Sequence, residues 1–178
     1  MINVELVVGL KIPDVTALTA ANAIRRRLGY GEALESLERA DYYRIEIDVD
    51  ERDLAEKLAR EMAEQTNLFV NPNKHMYDVR FPEDRGENAQ ADGAWVVNVL
   101  VTSPDDSSGD GIASALTGRL GYDQVEGVDT GVLWTLHIRA ESEAEAREIA
   151  EKITVTRSQS EGLLMNPHFQ EYEVWMGA

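Results

Sequence analysis

The chain has 178 residues, 43% of them apolar, enough to bury one ordinary core or two small ones. Its 33 acidic against 17 basic side chains give a formal net charge of −16, which argues against nucleic acid or an anionic membrane as partner, since both require clustered Lys and Arg. The absence of cysteine excludes disulfides, thiolate nucleophiles and cysteine-ligated metals.

The opening stretch, "MINVELVVGLKIPD", carries Glu5 and Lys11 in a short apolar run without a basic leader. It reads as a strand, not as a signal peptide or membrane span, and no later run is long enough to cross a bilayer; the expected compartment is the cytoplasm. A helix follows on the spacing of Leu18, Ala21, Ile24 and Leu28, closed at Gly29 by a left-handed cap. Next comes a turn candidate, Glu38-Arg39-Ala40-Asp41, and then Tyr43, Ile45, Ile47 and Val49 alternate with Arg44, Glu46 and Asp48 in a half-buried strand. "DERDLAEKLAREMAEQ" is amphipathic, with Leu54, Leu58 and Met62 a turn apart beside Ala55 and Ala59, and Asp50 and Asp53 as its capping pair. Asn71-Pro72 stops this helix, and Tyr77, Val79 and Phe81 mark a last strand.

After the polar segment 82–94 the same order returns. "WVVNVLVT" opens it, Ile112, Leu116 and Leu120 mark a helix, and "RLGY" recurs at Arg119 to Tyr122 after its first appearance at Arg27 to Tyr30. Asp129-Thr130-Gly131 is the second hairpin candidate, followed by the strand of Trp134, Leu136 and Ile138. Ala146, Ile149, Ala150 and Ile153 stripe a helix begun by the capping box Ser142–Glu145. This helix, like its counterpart, is expected to run out into an Asn-Pro pair, Asn166-Pro167, and Tyr172, Val174 and Met176 form the final strand. The expected class is α+β: two tandem β-α-β-β-α-β units, the split order of ferredoxin-like folds, over 1–81 and 95–178 with 82–94 as linker. One sheet face per unit would be left needing cover, so the copies are expected to pack as an intramolecular pseudo-dimer, with Tyr43, Tyr77, Trp134 and Tyr172 as interface candidates.

Sites of chemistry are sparse. "SSGDGIAS" has glycines before a helix but lacks a phosphate cradle's full spacing and lysine, so it reads as a turn. Arg25-Arg26-Arg27 is the densest basic cluster, suited to a helix C-terminus or to an acidic partner. His75, His137 and His168 have no ligand spacing, so no metal site is expected, and no catalytic residue stands out. The acidity reads as a soluble, self-repelling surface.

"GLKIPDVTALTAANAIRRRLGY" followed by an acidic helix and "FVNPNKHMYDV" resembles the PurS family, the small subunit of phosphoribosylformylglycinamidine (FGAM) synthase. The first copy matches at Lys11, Asp14, Leu28-Gly29-Tyr30, Asn71-Pro72 and Tyr77; the second at Leu120-Gly121-Tyr122, Asn166-Pro167 and Tyr172. Departures are the missing Asp-Pro-x-Gly turn, Ser103 in place of Lys11, and loss of the Gly-Lys pair near the hairpin. The resemblance implies a tandem duplication serving as a non-catalytic subunit that bridges the PurL synthetase and PurQ glutaminase in purine synthesis, with a role in ammonia transfer. The assembled complex would use ATP and Mg2+, with no cofactor on this subunit. Partner-contact candidates are Lys11, Arg25, Arg26, Asn71, Pro72, Asn166 and Pro167, and further self-association of pseudo-dimers is a possible extension. The alternative reading is a duplicated ACT-like regulatory domain that binds a small metabolite.

Overall fold

The computed structural model describes residues 1–177, and its elements repeat. β1 (Ile2–Leu10), α1 (Val15–Arg27), β2 (Leu34–Ile47), α2 (Arg52–Gln65) and β3 (His75–Arg80) are followed by a 3-10 turn (Pro82–Asp84) and the two-residue β4 (Gln90–Ala91). β5 (Ala94–Thr102), α3 (Ser108–Leu120), β6 (Val125–Ile138), α4 (Glu143–Thr154) and β7 (Glu171–Met176) complete the chain. The fold is α+β with antiparallel sheet, and no helix among the described residues is long and apolar enough to cross a membrane.

Local chemistry explains the helix ends. The Asp14 carboxylate accepts the Thr16 and Ala17 amides at the start of α1, and Ser142 accepts the Glu145 amide at the start of α4. Glu145 in turn accepts the amide of Glu141, one residue before the N-cap, so the expected capping box forms only in its Ser142-to-Glu145 half. α2 differs: its N-cap is Glu51, with no side-chain cap, so the expected Asp50–Asp53 pair does not form. At the other ends, Gly29 and Gly121 both take φ 79°, and the Tyr30 and Tyr122 amides reach back to the Ile24 and Leu116 carbonyls. The recurrent Leu-Gly-Tyr is thus a helix stop used twice, because only glycine enters this left-handed conformation without strain.

The chain forms two compact units. The first comprises Met1–Ile12, Ala40–Glu83 and Asp105–Gly131; the second comprises Pro13–Arg39, Asp84–Pro104 and the described chain from Val132. In the first unit the strand order is β3-β1-β2-β6, using the later part of β2 and the earlier part of β6. Leu6 lies between Val79 and Tyr43, and the Asp48 amide donates to the Gln124 carbonyl at 2.7 Å. α2 supplies Ala55, Ala59, Met62 and Ala63, and α3 supplies Leu116, to a core with Val4, Leu6, Val8, Ile45, Ile47, Val125 and Val128.

In the second unit the order is β2-β6-β5-β7, with β4 against the start of β5. Val99 lies between Trp134 and Val174, and the Arg139 amide donates to the Ala33 carbonyl at 2.9 Å. Here α1 brings Ala17, Ala21 and Ile24 and α4 brings Ala146, Ala150 and Ile153, over Leu34, Leu37, Val97, Val99, Leu136 and Ile138. Each unit therefore takes its first helix and one half-strand from the other half of the sequence.

That composition corrects the hairpin expectation. Glu38-Arg39-Ala40-Asp41 lies inside β2 and Asp129-Thr130-Gly131 inside β6, each an unbroken strand of 14 residues. The strand passes from one unit to the other at 39/40 and at 131/132, where the turns were expected. Gly131 is not among the glycines with positive φ, so the backbone there stays extended. The segment 82–94 contains the 3-10 turn and β4. The inward helix stripes also differ in detail: Ala17 and Ala21 of α1 and Ala55, Ala59 and Ala63 of α2 are buried, whereas Leu18 and Leu54 are exposed. Alanine lets a helix approach its sheet closely, which displaces the larger side chains to the flanks.

Several side chains on the sheet faces away from the helices are also buried. In the first unit Glu5 and Tyr42 are 2% and 1% exposed, and the Tyr42 hydroxyl donates to Glu5 Oε1 at 2.7 Å. In the second, Asn98 accepts the Thr135 hydroxyl at 2.7 Å and donates to the Gly177 carbonyl, satisfying a buried amide. Nearby, the Arg85 guanidinium stacks 3.7 Å from the Trp175 ring centroid and pairs with Glu173 at 2.6 Å.

Candidate functional site

A cleft of about 340 Å³ opens in the first unit at the ends of β1, α2 and β3, lined by Lys11, Glu64, Val70, Pro72, His75, Met76 and Tyr77 with Ala63. It gathers three residues singled out from sequence: Lys11, Pro72 and Tyr77. Its wall is the Asn71-Pro72 turn. The Asn71 side chain accepts the Asn73 amide at 3.0 Å, and its carbonyl accepts the amides of Lys74 and His75. His75 Nδ1 accepts the Asn71 amide at 3.1 Å. Lys11 closes the turn, its Nζ donating to the Pro72 carbonyl at 2.5 Å.

Tyr77 crosses from β3 to α2, where its hydroxyl donates to Glu64. Burial, then the Glu64 carboxylate, pushes its phenol up. Arg60, on the same helix, is paired with Glu56 at 2.7 Å, which raises its guanidinium further. The cleft thus offers one ammonium, an engaged carboxylate and an imidazole beside the exposed apolar side chains of Leu10, Ile12 and Met76. This set suits recognition of a partner surface: an apolar contact with a cation at its rim.

The second repeat builds the same turn on different side chains. Asn166 accepts the His168 amide at 3.0 Å, and its carbonyl accepts from Phe169 and Gln170. Gln170 Oε1 takes the Asn166 amide at 2.8 Å, the role His75 plays in the first. Phe169 is 74% exposed and Tyr172 40%. The Asn-Pro pairs therefore shape matching turns and are not the helix stops expected of them, since α2 already ends at Gln65 and α4 at Thr154.

The other sequence candidates lie elsewhere. Arg25 holds the chain after α1, donating to the Leu34 and Glu35 carbonyls at 3.1 and 2.5 Å, while Arg26 is exposed. Tyr43 stacks edge-on against Phe69 at 4.9 Å in the helix-side core of the first unit, its phenol pushed up by burial and then by Asp41. Trp134 occupies the helix-side core of the second. Strand alternation explains both placements, since each shares a face with the isoleucines and leucines two residues on. Among the described residues no cluster of three or more His, Asp or Glu could hold a metal.

Two features were not read from sequence. Asp106 accepts the Ser108 amide and hydroxyl at 2.9 and 2.7 Å and the Thr130 hydroxyl at 2.7 Å. Its counterpart Asp14, at the start of α1, pairs with Arg39 at 3.6 Å. Beside it, a Cβ on Gly109 would stand 1.9 Å from the Val128 carbonyl oxygen. "SSGDG" is therefore a tight helix–strand junction, in keeping with the turn expected there. The Glu5–Tyr42 pair was signalled only by a charged residue within an apolar run.

Residues 97–177, from β5 through β7, match the family model described as PurS: phosphoribosylformylglycinamidine (FGAM) synthase. That segment is PurS-like, as the repeated Leu-Gly-Tyr, Asn-Pro and tyrosine motifs led one to expect. No curated protein matches the chain.

Proposed function

We propose that this PurS-like chain is a non-catalytic assembly subunit of FGAM synthase in de novo purine (IMP) biosynthesis, bridging the PurL synthetase and the PurQ glutaminase. The observation that carries the reading is the family match over residues 97–177. The first half repeats that segment element by element, and β2 and β6 share almost the same alternation of buried and exposed positions. On this reading the chain is a tandem duplication, its repeats 1–81 and 95–178 acting as a covalent pseudo-dimer. Tethering removes the concentration dependence of pairing and lets each copy diverge toward one partner. The divergence of the two Asn-Pro turns, Lys11 and His75 against Ser103 and Gln170, supports such a division of labour. ATP and Mg2+ belong to the synthetase, and guidance of ammonia between the two active sites is the finer part of the proposal.

The test is reconstitution with PurL and PurQ from the same cell. The expected result is a complex with glutamine-dependent FGAM formation that requires this chain. No complex and no dependence of activity on the chain would overturn the proposal.

A further inference from the structure

β3 edges the sheet of the first unit, with β1 as its strand neighbour. The Lys11 amide donates to the Lys74 carbonyl at 2.9 Å, so Lys74 and Lys11 form a hydrogen-bonded pair. By the alternation of antiparallel ladders, Met76, Asp78 and Arg80 also turn their backbone groups toward β1. The N–H and C=O groups of Tyr77 and Val79 therefore point away from the sheet, a template for another strand, whereas the His75 amide is already taken by the Asn71 carbonyl at 2.8 Å. On the face away from α2, Met76 is 58% exposed, and Arg80 meets Asp78 at 2.8 Å with that carboxylate open to solvent.

We propose that the β3 edge pairs antiparallel with the β3 edge of a second copy of this chain. Charge and the free amides together select occupant and register: with His75 opposite Tyr77 of the second copy Lys74 would also face Asp78, but the His75 amide needed there is held by Asn71. Only registers that set odd-numbered residues against odd-numbered ones align the free backbone groups. With Tyr77 opposite Tyr77 of the second copy, Lys74 faces Arg80. With Asp78 opposite its own copy, two carboxylates meet. With Val79 opposite Val79, Asp78 faces Arg80 of the second copy, and two-fold symmetry repeats that pair. The same register brings the exposed Met76 side chain against Pro82. β7, at the edge of the second unit beside β5, carries Glu171 and Glu173 and no Lys or Arg of its own, and Glu173 is held by Arg85, so it offers a copy of itself no charge pair of this kind. The association is isologous and stops at two chains. It is independent of the proposed role in FGAM synthase.

Sedimentation equilibrium of the full chain over a wide concentration range tests the pairing, with circular dichroism as the check on folding. The wild-type chain is expected to form a two-chain particle. D78K and R80E, each setting like charges opposite, should weaken it by about tenfold or more. The exchanged variant D78R/R80D should restore it, since the charge pairs are kept with their signs reversed. V79P removes an outward N–H while leaving the β1 ladder intact, and should abolish pairing without charge change. A chain monomeric at every concentration, a dimer insensitive to D78K, R80E and V79P, or a folded D78R/R80D variant that stays monomeric would overturn the proposal.

Discussion

The Asp106 carboxylate accepts the Thr130 hydroxyl at 2.7 Å, tying the turn before α3 to the middle of β6. With the Ser108 hydroxyl, the Thr130 hydroxyl and the Ser108 amide all donating to it, this carboxyl is held down to about 2, from an ordinary value of 3.8. Its folded value lies below its unfolded one, so the charged form favours the fold. The contribution is present above about pH 3.8 and is lost as pH falls through about 2. Asp106 is fully exposed, so the effect is small. Thermal melts between pH 2 and 5 should show a shallower acid slope for D106N than for wild type.

Tyr42 predicts the opposite limb. Burial, followed by the charge of Glu5 and its hydrogen bond, raises this phenol far above its ordinary 10.0. The neutral form is the one the fold keeps, so its contribution is full below pH 10 and declines as pH rises beyond it. Absorbance at 295 nm during alkaline titration should show one tyrosine ionising only together with unfolding, and Y42F should remove that coupled step. Y42F also takes a hydrogen bond from a buried carboxylate and should cost about 1–3 kcal/mol in denaturant unfolding at neutral pH.

Two glycines of α3 should respond with opposite signs. G109A drives a methyl group into the Val128 carbonyl, 1.9 Å from where Cβ would lie, and should destabilise by about 1–3 kcal/mol. At Gly118 nothing lies within 4 Å of a built Cβ, and the backbone is helical. G118A should stabilise by about 0.5–1 kcal/mol, because alanine loses less conformational freedom in a helix. Urea midpoints of the two variants decide this directly.

Lys11 separates docking from folding. Its ammonium is exposed and holds one carbonyl at the turn, so K11M should change stability by no more than about 1 kcal/mol. If the cleft meets a synthase subunit, K11M should weaken assembly of the reconstituted complex by about tenfold. Titration of PurL and PurQ with the variant, read by glutamine-dependent turnover, measures this; unchanged assembly would remove the cleft from the contact surface.

Much of this was legible in the residues themselves. Leu-Gly-Tyr announced a helix stop because glycine alone tolerates the required φ, and Ser142–Glu145 announced a helix start because free amides need acceptors. Strand phase was legible too, down to the shared face of Tyr43, Ile45 and Ile47. The cleft was partly legible: Lys11, Pro72 and Tyr77 were chosen as motif residues, but that they meet, and that Glu64 and His75 join them, depends on where β1, α2 and β3 end. Within the inward stripes of α1 and α2, Ala21, Ile24, Ala55, Ala59 and Met62 are buried as expected and Leu18 and Leu54 are not, since a helical wheel does not say how closely a sheet will approach.

By itself the sequence determined the elements, their caps and their twofold order, because each follows from contacts within a few residues. The tertiary structure decided the partnership of those elements. A hairpin at 38–41 and an unbroken β2 bury the same side chains in the same alternation and make equivalent ladder bonds; they differ only in whether the chain turns or runs on. Sequence patterning is blind to that choice. The extended backbone through Ala40 and Gly131 resolves it, and sends α1 and α3 each to the unit built on the other repeat's first strand.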